Sequence, residues 1–374
     1  MAELKIMFWN IQNVYDFKIV TPAELVLEES IRGEPEMGAE KLKKLKENSI
    51  KLFQTHGIEH REHVASIIGA VNPDIVAIVE FSVGKADLEL TGTVPQGMGK
   101  TVVNALVEFD HWGARQYQVS LNDHYKETLK LDRWWASSMS PVNCSDIIAN
   151  LKNERKVEKI EHSNSMFELY GLLWDTRKVE LVGDFAIDNL GPDGSLHFPQ
   201  RSPGVAWFKD KGSGRQFLLV MIHSVFGEGT AEEVRKLRSK PIRAISQLNV
   251  VQQAVKRFNP MAVAGDFNLD FSKNKASFDP LLEDIKFRAR IEGKTSLGKP
   301  AIRSKGAYVR NAYDNIFTLN FANDTAKGEI KDFVRDEFRV RAPGDSGWDE
   351  DALQKIENAL KVSDHLPVFA TLRF

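Results

Sequence analysis

The stretch that decides the fold is Met-Ala-Val-Ala-Gly-Asp-Phe-Asn at residues 261–268, where a short apolar run ends in a carboxylate and an amide. A short apolar run of this kind is typical of a buried β-strand. If the segment stays extended, the alternation of side chains places Asp266 and Asn268 on one face and Phe267 on the other. Gly265 allows a close approach of the backbone. The alternative is a local Asx turn, which Asp and Asn both favour.

A second polar motif, Ser-Asp-His-Leu-Pro-Val at 363–368, leads into the last apolar run of the chain. The two motifs together supply carboxylate, amide and imidazole groups at strand ends. Cleavage of a phosphate ester needs one group to hold a cation, one to activate water and one to stabilise or protonate a phosphoryl oxygen. The residue types therefore favour metal-assisted cleavage of a phosphate ester.

The composition is that of a globular chain of 374 residues with 42% hydrophobic residues. The net charge of -2 argues against a generally basic nucleic-acid coat, although a local basic patch is compatible with it. Cys144 is the single cysteine, which excludes a disulfide framework and a thiolate metal cluster. The first apolar run contains Glu3 and Lys5 and is a poor signal peptide, and no stretch approaches the ~20 apolar residues of a transmembrane helix. We expect a soluble, cytoplasmic protein.

Short apolar runs rich in Val, Ile and Phe recur along the chain and indicate buried strands. They lie at 4–9, 75–79, 169–174, 204–208, 217–222, 261–264, 316–319 and 367–372. Helical patterns alternate with them at 40–56, 60–71, 230–258 and 349–360, and Pro241 should kink or split the third helix. This alternation predicts an α/β (α+β) fold in which two stacked sheets are covered by helices.

Four further segments fall in a fixed order around the first two motifs. They are Phe-Trp-Asn at 8–10, Asp-Ile-Val-Ala-Ile-Val-Glu at 74–80, Ile-His-Ser at 222–224 and Tyr-Asp-Asn-Ile-Phe at 313–317. The set of six resembles the endonuclease/exonuclease/phosphatase (DNase I-like) superfamily, which includes nucleases, sphingomyelinases and inositol-phosphate phosphatases. The resemblance implies a four-layered α/β/β/α sandwich. We expect one domain over residues 1–374, with insertions at about 18–60 and 84–165.

The second insertion carries Trp134 and Trp135, followed by Ala-Ser-Ser-Met-Ser. One interpretation is a loop that stacks on a base or covers the site. The other is a packed excursion that shields one edge of a sheet.

The resemblance implies a metal site for Mg²⁺ or Mn²⁺. Its principal ligand would be Glu80, helped by Asn10 and Asp364. A carboxylate directly after a buried strand is costly unless it is paired or bound to a metal, and its hard oxygen suits either ion.

The catalytic groups follow from the same resemblance. Asp266 would activate water, and Asn268 would orient that water or hold the phosphate. His365 would bond a phosphoryl oxygen or act as acid or base, with Asp314 orienting its imidazole. Asp270 matches no position of the family and is expected to be a solvated loop residue.

His223 matches a histidine that DNase I-like nucleases and sphingomyelinases carry and abasic-site endonucleases do not, and Arg201 resembles a DNase-like arginine. His223 or a water on the cation would protonate the leaving oxygen, and Arg201 would contact the phosphate. One departure concerns the acidic partner of His223, because no glutamate follows Tyr-Gln-Val-Ser at 117–120; Asp123 or His124 could take its place.

Two basic clusters lie at 41–46 and 235–243. We expect the charges of both clusters to face solvent mostly. The lysine-rich helix at 41–46 could also track a nucleic-acid backbone.

The favoured function is a Mg²⁺- or Mn²⁺-dependent phosphodiesterase, specifically a nuclease that cleaves DNA or RNA in one hydrolytic step. The alternative is a hydrolase of phospholipids (sphingomyelinase-like) or inositol phosphates, so a phosphorylated lipid or inositol is the alternative partner to nucleic acid. A third hypothesis is a catalytically dead binding protein on the same fold. The sequence does not indicate an oligomeric state.

Overall fold

The computed structural model describes residues 3–11, 63–64, 66–83, 135–139, 167–184, 203–224, 230–322, 328–344 and 346–374. At 80–83, 135–139, 167–170 and 184 the description covers the backbone alone. The insertion predicted at 18–60, most of that at 84–165, and the residues Arg201, Asp123 and His124 lie outside the described residues.

Two mixed sheets form the centre of the described structure. The strands are β1 (Glu3–Asn10), β2 (Ile75–Val83), β3 (Trp135–Met139), β4 (Phe167–Asp175), β5 (Val179–Asp184), β6 (Gly204–Asp210), β7 (Gln216–His223), β8 (Met261–Asp266), β9 (Arg288–Ala289), β10 (Asp314–Leu319), β11 (Gly328–Ile330) and β12 (Val368–Arg373). The first sheet has the order β11-β12-β1-β2-β4-β3, and the second has the order β5-β6-β7-β8-β10-β9.

Each apolar run predicted as a strand coincides with one, namely β1, β2, β4, β6, β7, β8, β10 and β12, although the last run begins at Pro367, one residue before β12. The strands that were not predicted, β3, β5, β9 and β11, are the edge strands of the two sheets. An edge strand need not be buried on both faces, so its sequence need not be a continuous apolar run. β3 falls inside the predicted insertion at 84–165 and pairs with β4 as an edge strand. That part of the insertion therefore extends the first sheet.

The described helices are a segment at 66–71, α1 (Ala231–Gln247), α2 (Asn249–Lys256), α3 (Phe333–Asp336) and α4 (Glu350–Leu360). Of the kink or split predicted at Pro241 in the helix at 230–258, the split is wrong in its position. Pro241 lies buried inside α1, and the interruption comes at Leu248, whose ψ of 131° is extended. The packing of buried Ile242 and Ile245 against the sheet holds the helix together past the proline.

The side chains of β1 alternate between two hydrophobic cores, and this alternation shows how the layers are stacked. Ile6 and Phe8 of β1 lie in the core between the two sheets, whereas Met7 and Trp9 lie in the core under α4. A third core joins the outer face of the second sheet to α1 and α2. The four-layered α/β/β/α arrangement predicted from the sequence is confirmed.

The strand registers bring chemically active residues to one end of the sandwich. β7 runs parallel to β8 with His223 beside Asp266, and β10 runs antiparallel to β8 with Asp314 beside Asp266. Asn10 ends β1 at the same end, where its side chain bonds Asp266. Among the described residues, no helix has the length and apolar character that crossing a bilayer requires.

Candidate active site

Asp266 lies at the centre of the site, and the preceding residue, Gly265, determines how closely β8 approaches β7. A Cβ on Gly265 would lie 2.4 Å from the carbonyl oxygen of Ile222 and 2.0 Å from its Cγ2. These contacts are too short for any side chain, so Gly265 lets β8 approach β7 closely. The close pairing carries Asp266 to the end of a fully buried strand.

The chain turns directly after Asp266, so the expectation of an extended segment through Asn268 is wrong. Asn268 has a φ of 48°, in the left-handed region that Asn tolerates better than most residues. Its backbone N–H donates to Asp266 Oδ1 at 2.8 Å, which is the Asx-type bond of the alternative interpretation. Phe267 and Leu269 nevertheless pack into the outer core, while Asp266 and Asn268 bond to residues of the site.

Three side chains converge on Asp266 Oδ2. Asn10 Nδ2 donates to it at 3.0 Å, His365 Nε2 lies 3.6 Å away and His223 Nε2 lies 3.8 Å away. Burial opposes the ionisation of this carboxyl, but the two imidazoles, the Asn268 N–H and the Asn10 amide together hold its pKa below the ordinary value. Asp266 is therefore held ionised.

His365 and Asp314 form a buried pair. Asp314 Oδ2 lies 2.7 Å from His365 Nδ1, and the Asp314 N–H donates to Thr295 Oγ1 at 3.0 Å. Burial opposes protonation of the imidazole, but the charges of Asp314 and then Asp266 raise the pKa of His365 well above its usual range. Burial, joined by the charge of Asp266, raises the pKa of Asp314, which the imidazole opposes.

The motif at 363–368 is fixed to the end of β1. Ser363 Oγ donates to the Asn10 carbonyl at 2.7 Å and accepts from the His365 N–H at 2.9 Å. Trp9 Nε1 donates to the His365 carbonyl at 2.9 Å. The Asp364 side chain is 43% exposed and its Oδ1 lies 3.8 Å from His365 Nε2. Partial burial, together with the charge of Asp266, raises the pKa of Asp364.

The described residues contain a group that could hold a metal ion. Ligand atoms of Asp266, Asp314 and His365 all lie within 4.8 Å of one another. Asp314 Oδ1 is buried and has no hydrogen-bond partner within the described part of the chain. Carboxylate oxygens suit a hard divalent cation, which would also offset the burial and the Asp266 charge that raise the pKa of Asp364. The donor set therefore fits a cation, although the 2.7 Å bond already engages Asp314 Oδ2 and His365 Nδ1.

Most of the site residues proposed from the sequence meet at this end of the sandwich. They are Asn10, His223, Asp266, Asn268, Asp314, Asp364 and His365. The backbone of Glu80 lies in β2, but its side chain is outside the described residues, as is all of Arg201. Asp270 is 6% exposed and accepts from Ser272 Oγ, so its prediction as a solvated residue is wrong. Asp270 begins the next turn, where its Oδ1 also accepts from the Lys273 N–H.

Two residues with contacts to the site were missed in the sequence. Thr295 accepts from the Asp314 N–H, and Arg238 donates to the Asn268 carbonyl. Arg238 belongs to the cluster at 235–243 that was expected to face solvent mostly, yet it is half-buried. Both contacts join residues far apart in the chain, and no local pattern indicates them.

Comparison with solved structures identifies the fold. An endonuclease/exonuclease/phosphatase family protein from Bacteroides thetaiotaomicron is 13% identical, with a TM-score of 0.50 over 99% of this chain and 95% of that chain. A mannosyl-6-phosphatase from the same organism is 12% identical, with a TM-score of 0.49 over 99% and 100% of the two chains. The catalytic domain of human nocturnin is 16% identical, with a TM-score of 0.45 over 100% of this chain and 94% of that chain.

No protein-family model matches the chain, and no curated protein matches it. The architecture nevertheless agrees with that of the endonuclease/exonuclease/phosphatase family protein. The resemblance predicted from the sequence is confirmed, and the chain has the DNase I-like fold of the endonuclease/exonuclease/phosphatase superfamily.

Proposed function

We propose that the protein hydrolyses phosphate esters with the help of Mg²⁺ or Mn²⁺, and that its substrate is a nucleic-acid phosphodiester. The observation that carries this proposal is the position of Asp266 Oδ2 between two imidazoles, at 3.6 Å from His365 and 3.8 Å from His223. A carboxylate beside two groups that can carry protons is suited to general acid–base chemistry at one phosphorus.

The cation would be held by Glu80, Asn10 and Asp364. Once bound, it would supply positive charge to the phosphoryl oxygens and help to orient the phosphate. The Asn10 amide also donates to Asp266, which supports a cation site beside the group that we propose to act on water.

Asp266 takes a proton from the attacking water. Its lowered pKa keeps the carboxylate in the form that accepts a proton near neutral pH. Asn268 orients this water or holds the phosphate, and its carboxamide is fixed by a 2.8 Å bond from Nδ2 to the Ser224 carbonyl. The Asn268 N–H also donates to Asp266 Oδ1, so the Asp266 carboxylate and the Asn268 carboxamide keep a constant relative position.

The two histidines act on the phosphoryl oxygens and on the leaving oxygen. His365, held protonated by Asp314, donates to a phosphoryl oxygen and stabilises the charge that grows there. As the water oxygen bonds to phosphorus, the bond to the leaving oxygen breaks and His223 supplies the proton that this oxygen takes. Arg201 would add a further contact to the phosphate. The hydrolysis needs no covalent intermediate.

The nucleic-acid substrate is supported by the sequence pattern rather than by the geometry. Arg201 resembles a DNase-like arginine, and no apolar hairpin with exposed aromatic residues is evident in the sequence for insertion into a membrane. The substrate class is therefore the first property to test.

The test is hydrolysis of supercoiled plasmid, single-stranded DNA, RNA, sphingomyelin and an inositol polyphosphate with Mg²⁺, Mn²⁺ or EDTA. We expect metal-dependent cleavage of a nucleic acid that is lost in Asp266→Ala and His365→Ala. The exposed carboxylate Asp284 provides the matched control, and Asp284→Ala should retain activity. Cleavage of the lipid or the inositol phosphate alone would contradict the substrate class. If the folded wild type hydrolysed none of these substrates, the proposal as a whole would be contradicted.

A further inference from the structure

Arg238 differs from the other basic residues of its helix. Its Nη1 donates to the carbonyl oxygen of Asn268 at 2.5 Å, across 30 residues of sequence. Arg238 is half-buried, whereas the other cations of the predicted basic cluster on α1 are exposed; they are Arg235, Lys236, Lys240 and Arg243. Arg238 is thus directed at the turn that follows β8.

That turn is held by three hydrogen bonds to Asn268. Its N–H donates to Asp266 Oδ1, its Nδ2 donates to the Ser224 carbonyl, and its carbonyl accepts from Arg238. The first two partners belong to the sheet at the ends of β8 and β7. The third comes from the helical layer outside the sheet.

The conformation of Asn268 gives this third bond its importance. A φ of 48° is a backbone conformation that residues with side chains seldom adopt, and it persists where surrounding contacts hold it. If Asn268 relaxed to a negative φ, its N–H would leave Asp266 Oδ1. The carboxylate could then rotate, and Oδ2 would no longer be fixed toward His223 and His365.

We propose that Arg238 is a positioning residue for the reaction, because it holds the turn that orients the water-activating carboxylate of Asp266. The inference rests on the proposed function. Arg238 does not touch the reacting atoms. It acts through the Asn268 carbonyl, and its always-charged, planar guanidinium gives this bond a fixed direction that a lysine would reproduce only in part.

The first readout does not depend on any activity. Amide hydrogen exchange of a peptide covering 266–271 is compared in the wild type, Arg238→Gln, Arg238→Lys and the matched control Arg235→Gln. We expect faster exchange in Arg238→Gln, a smaller increase in Arg238→Lys and wild-type exchange in Arg235→Gln. Exchange of 266–271 that stays unchanged in Arg238→Gln, or that rises equally in Arg235→Gln, overturns the inference. If Arg238→Gln does not fold, Arg238→Lys is compared with Arg235→Lys in its place.

The second readout is steady-state kinetics on the substrate that the wild type hydrolyses. Loss of a residue that orients a catalytic group lowers rates by about 10–100-fold, so we expect kcat of Arg238→Gln to fall by that factor with KM unchanged. Arg238→Lys should recover part of the loss. A raised KM at unchanged kcat, or full activity of Arg238→Gln, contradicts the inference while leaving the proposed function intact. A folded wild type that hydrolyses nothing contradicts the proposed function, whereas the exchange result still decides whether Arg238 holds the turn.

Discussion

Two groups of buried aspartates lie at opposite ends of β1, and they are neutralised in different ways. The Asp74 cluster (Lys5, Asp74, Asp175, Arg177, Lys178) lies near the start of the strand. Asp74 accepts from the Lys5 N–H and from Lys178 Nζ, both at 2.9 Å. Asp175 accepts from Arg177 at 2.9 and 3.1 Å. Each carboxylate therefore meets a permanent cation supplied by the chain.

The site cluster (Asn10, His223, Asp266, Asp314, His365) lies at the other end. Asp266 and Asp314 are fully buried here too, but their ion-pair partners are imidazoles, whose charge depends on protonation. Within the described part of the chain, neither aspartate pairs with Lys or Arg. The pKa values of Asp314 and the neighbouring Asp364 are raised, first by burial.

The difference agrees with the proposed roles, in which the carboxylates of the Asp74 cluster are structural and those of the site cluster are functional. A buried carboxylate with a permanent cation is complete and contributes to stability. A group of carboxylates without one can be completed from outside, by a divalent cation and the proton movements of a reaction. Substitutions in the two clusters should therefore have opposite effects on activity and stability.

The largest expected effect is on the activity of Asp266→Asn. The amide cannot take a proton from water, so the rate should fall by about 10²–10⁴-fold. The melting temperature should fall only modestly, because relief of the desolvation of the buried charge offsets part of the hydrogen bonds and imidazole contacts that the carboxylate loses. The measurement is the initial rate on the cleaved substrate beside thermal unfolding. Asp74→Asn is the control, and equal losses of activity in both variants would break the comparison.

Asp314→Asn should have the next largest effect on activity. The amide no longer stabilises the protonated imidazole of His365, so kcat should fall by about 10–100-fold. The exposed Asp351 offers a control, since Asp351→Asn should keep the wild-type kcat. Steady-state kinetics of the two variants check this, and a wild-type kcat for Asp314→Asn would exclude the proposed role of the pair.

Asp74→Asn should lower stability and leave activity unchanged. The substitution weakens the bond to Lys178 and leaves a polar group with poorer partners, at a cost of about 1–3 kcal/mol. Urea unfolding followed by circular dichroism measures the free energy of unfolding. Glu180→Gln, on the exposed part of β5, is the control for a lost surface charge. Wild-type stability of Asp74→Asn would contradict the structural role of this cluster.

Arg177→Gln should have the smallest effect. The Arg177 side chain is 46% exposed, so solvent screens its pair with Asp175 and the loss should be about 1 kcal/mol or less. The same urea titration measures it, with activity again unchanged. A loss as large as that of Asp74→Asn would show that the exposed pair is as important as the buried network.

The sequence was sufficient for the parts of the molecule that local patterns determine. Buried strands appear as continuous apolar runs, and each motif follows or opens such a run. Because these strands end at the same end of the sandwich, the sequence predicts that Asn10, His223, Asp266 and His365 lie close together. The sequence allows either an extended segment or an Asx turn after Asp266, because Asp and Asn favour such turns, and the structure contains the turn.

Features that depend on distant contacts were not predictable in this way. The bond from Arg238 to Asn268 spans 30 residues, and nothing in the basic run at 235–243 distinguishes Arg238 from its neighbours. The packing of Ile242 and Ile245 decides that α1 continues past Pro241, and this packing depends on the sheet. Edge strands such as β5 also depend on distant contacts. Only one face of such a strand is covered by the rest of the protein, so its sequence lacks a continuous apolar run.

The central claim is that a divalent cation binds beside the site cluster, at Glu80, Asn10 and Asp364, whereas the Asp74 cluster takes no cation from outside. Titration of Mn²⁺ into the folded protein by isothermal calorimetry tests it most directly, with Asp364→Asn, Glu80→Gln and Asp74→Asn measured beside the wild type. We predict a saturable site that is lost or strongly weakened in Asp364→Asn and Glu80→Gln and retained in Asp74→Asn. Absence of binding to the wild type, or binding that is unchanged in Asp364→Asn and Glu80→Gln, would contradict the account.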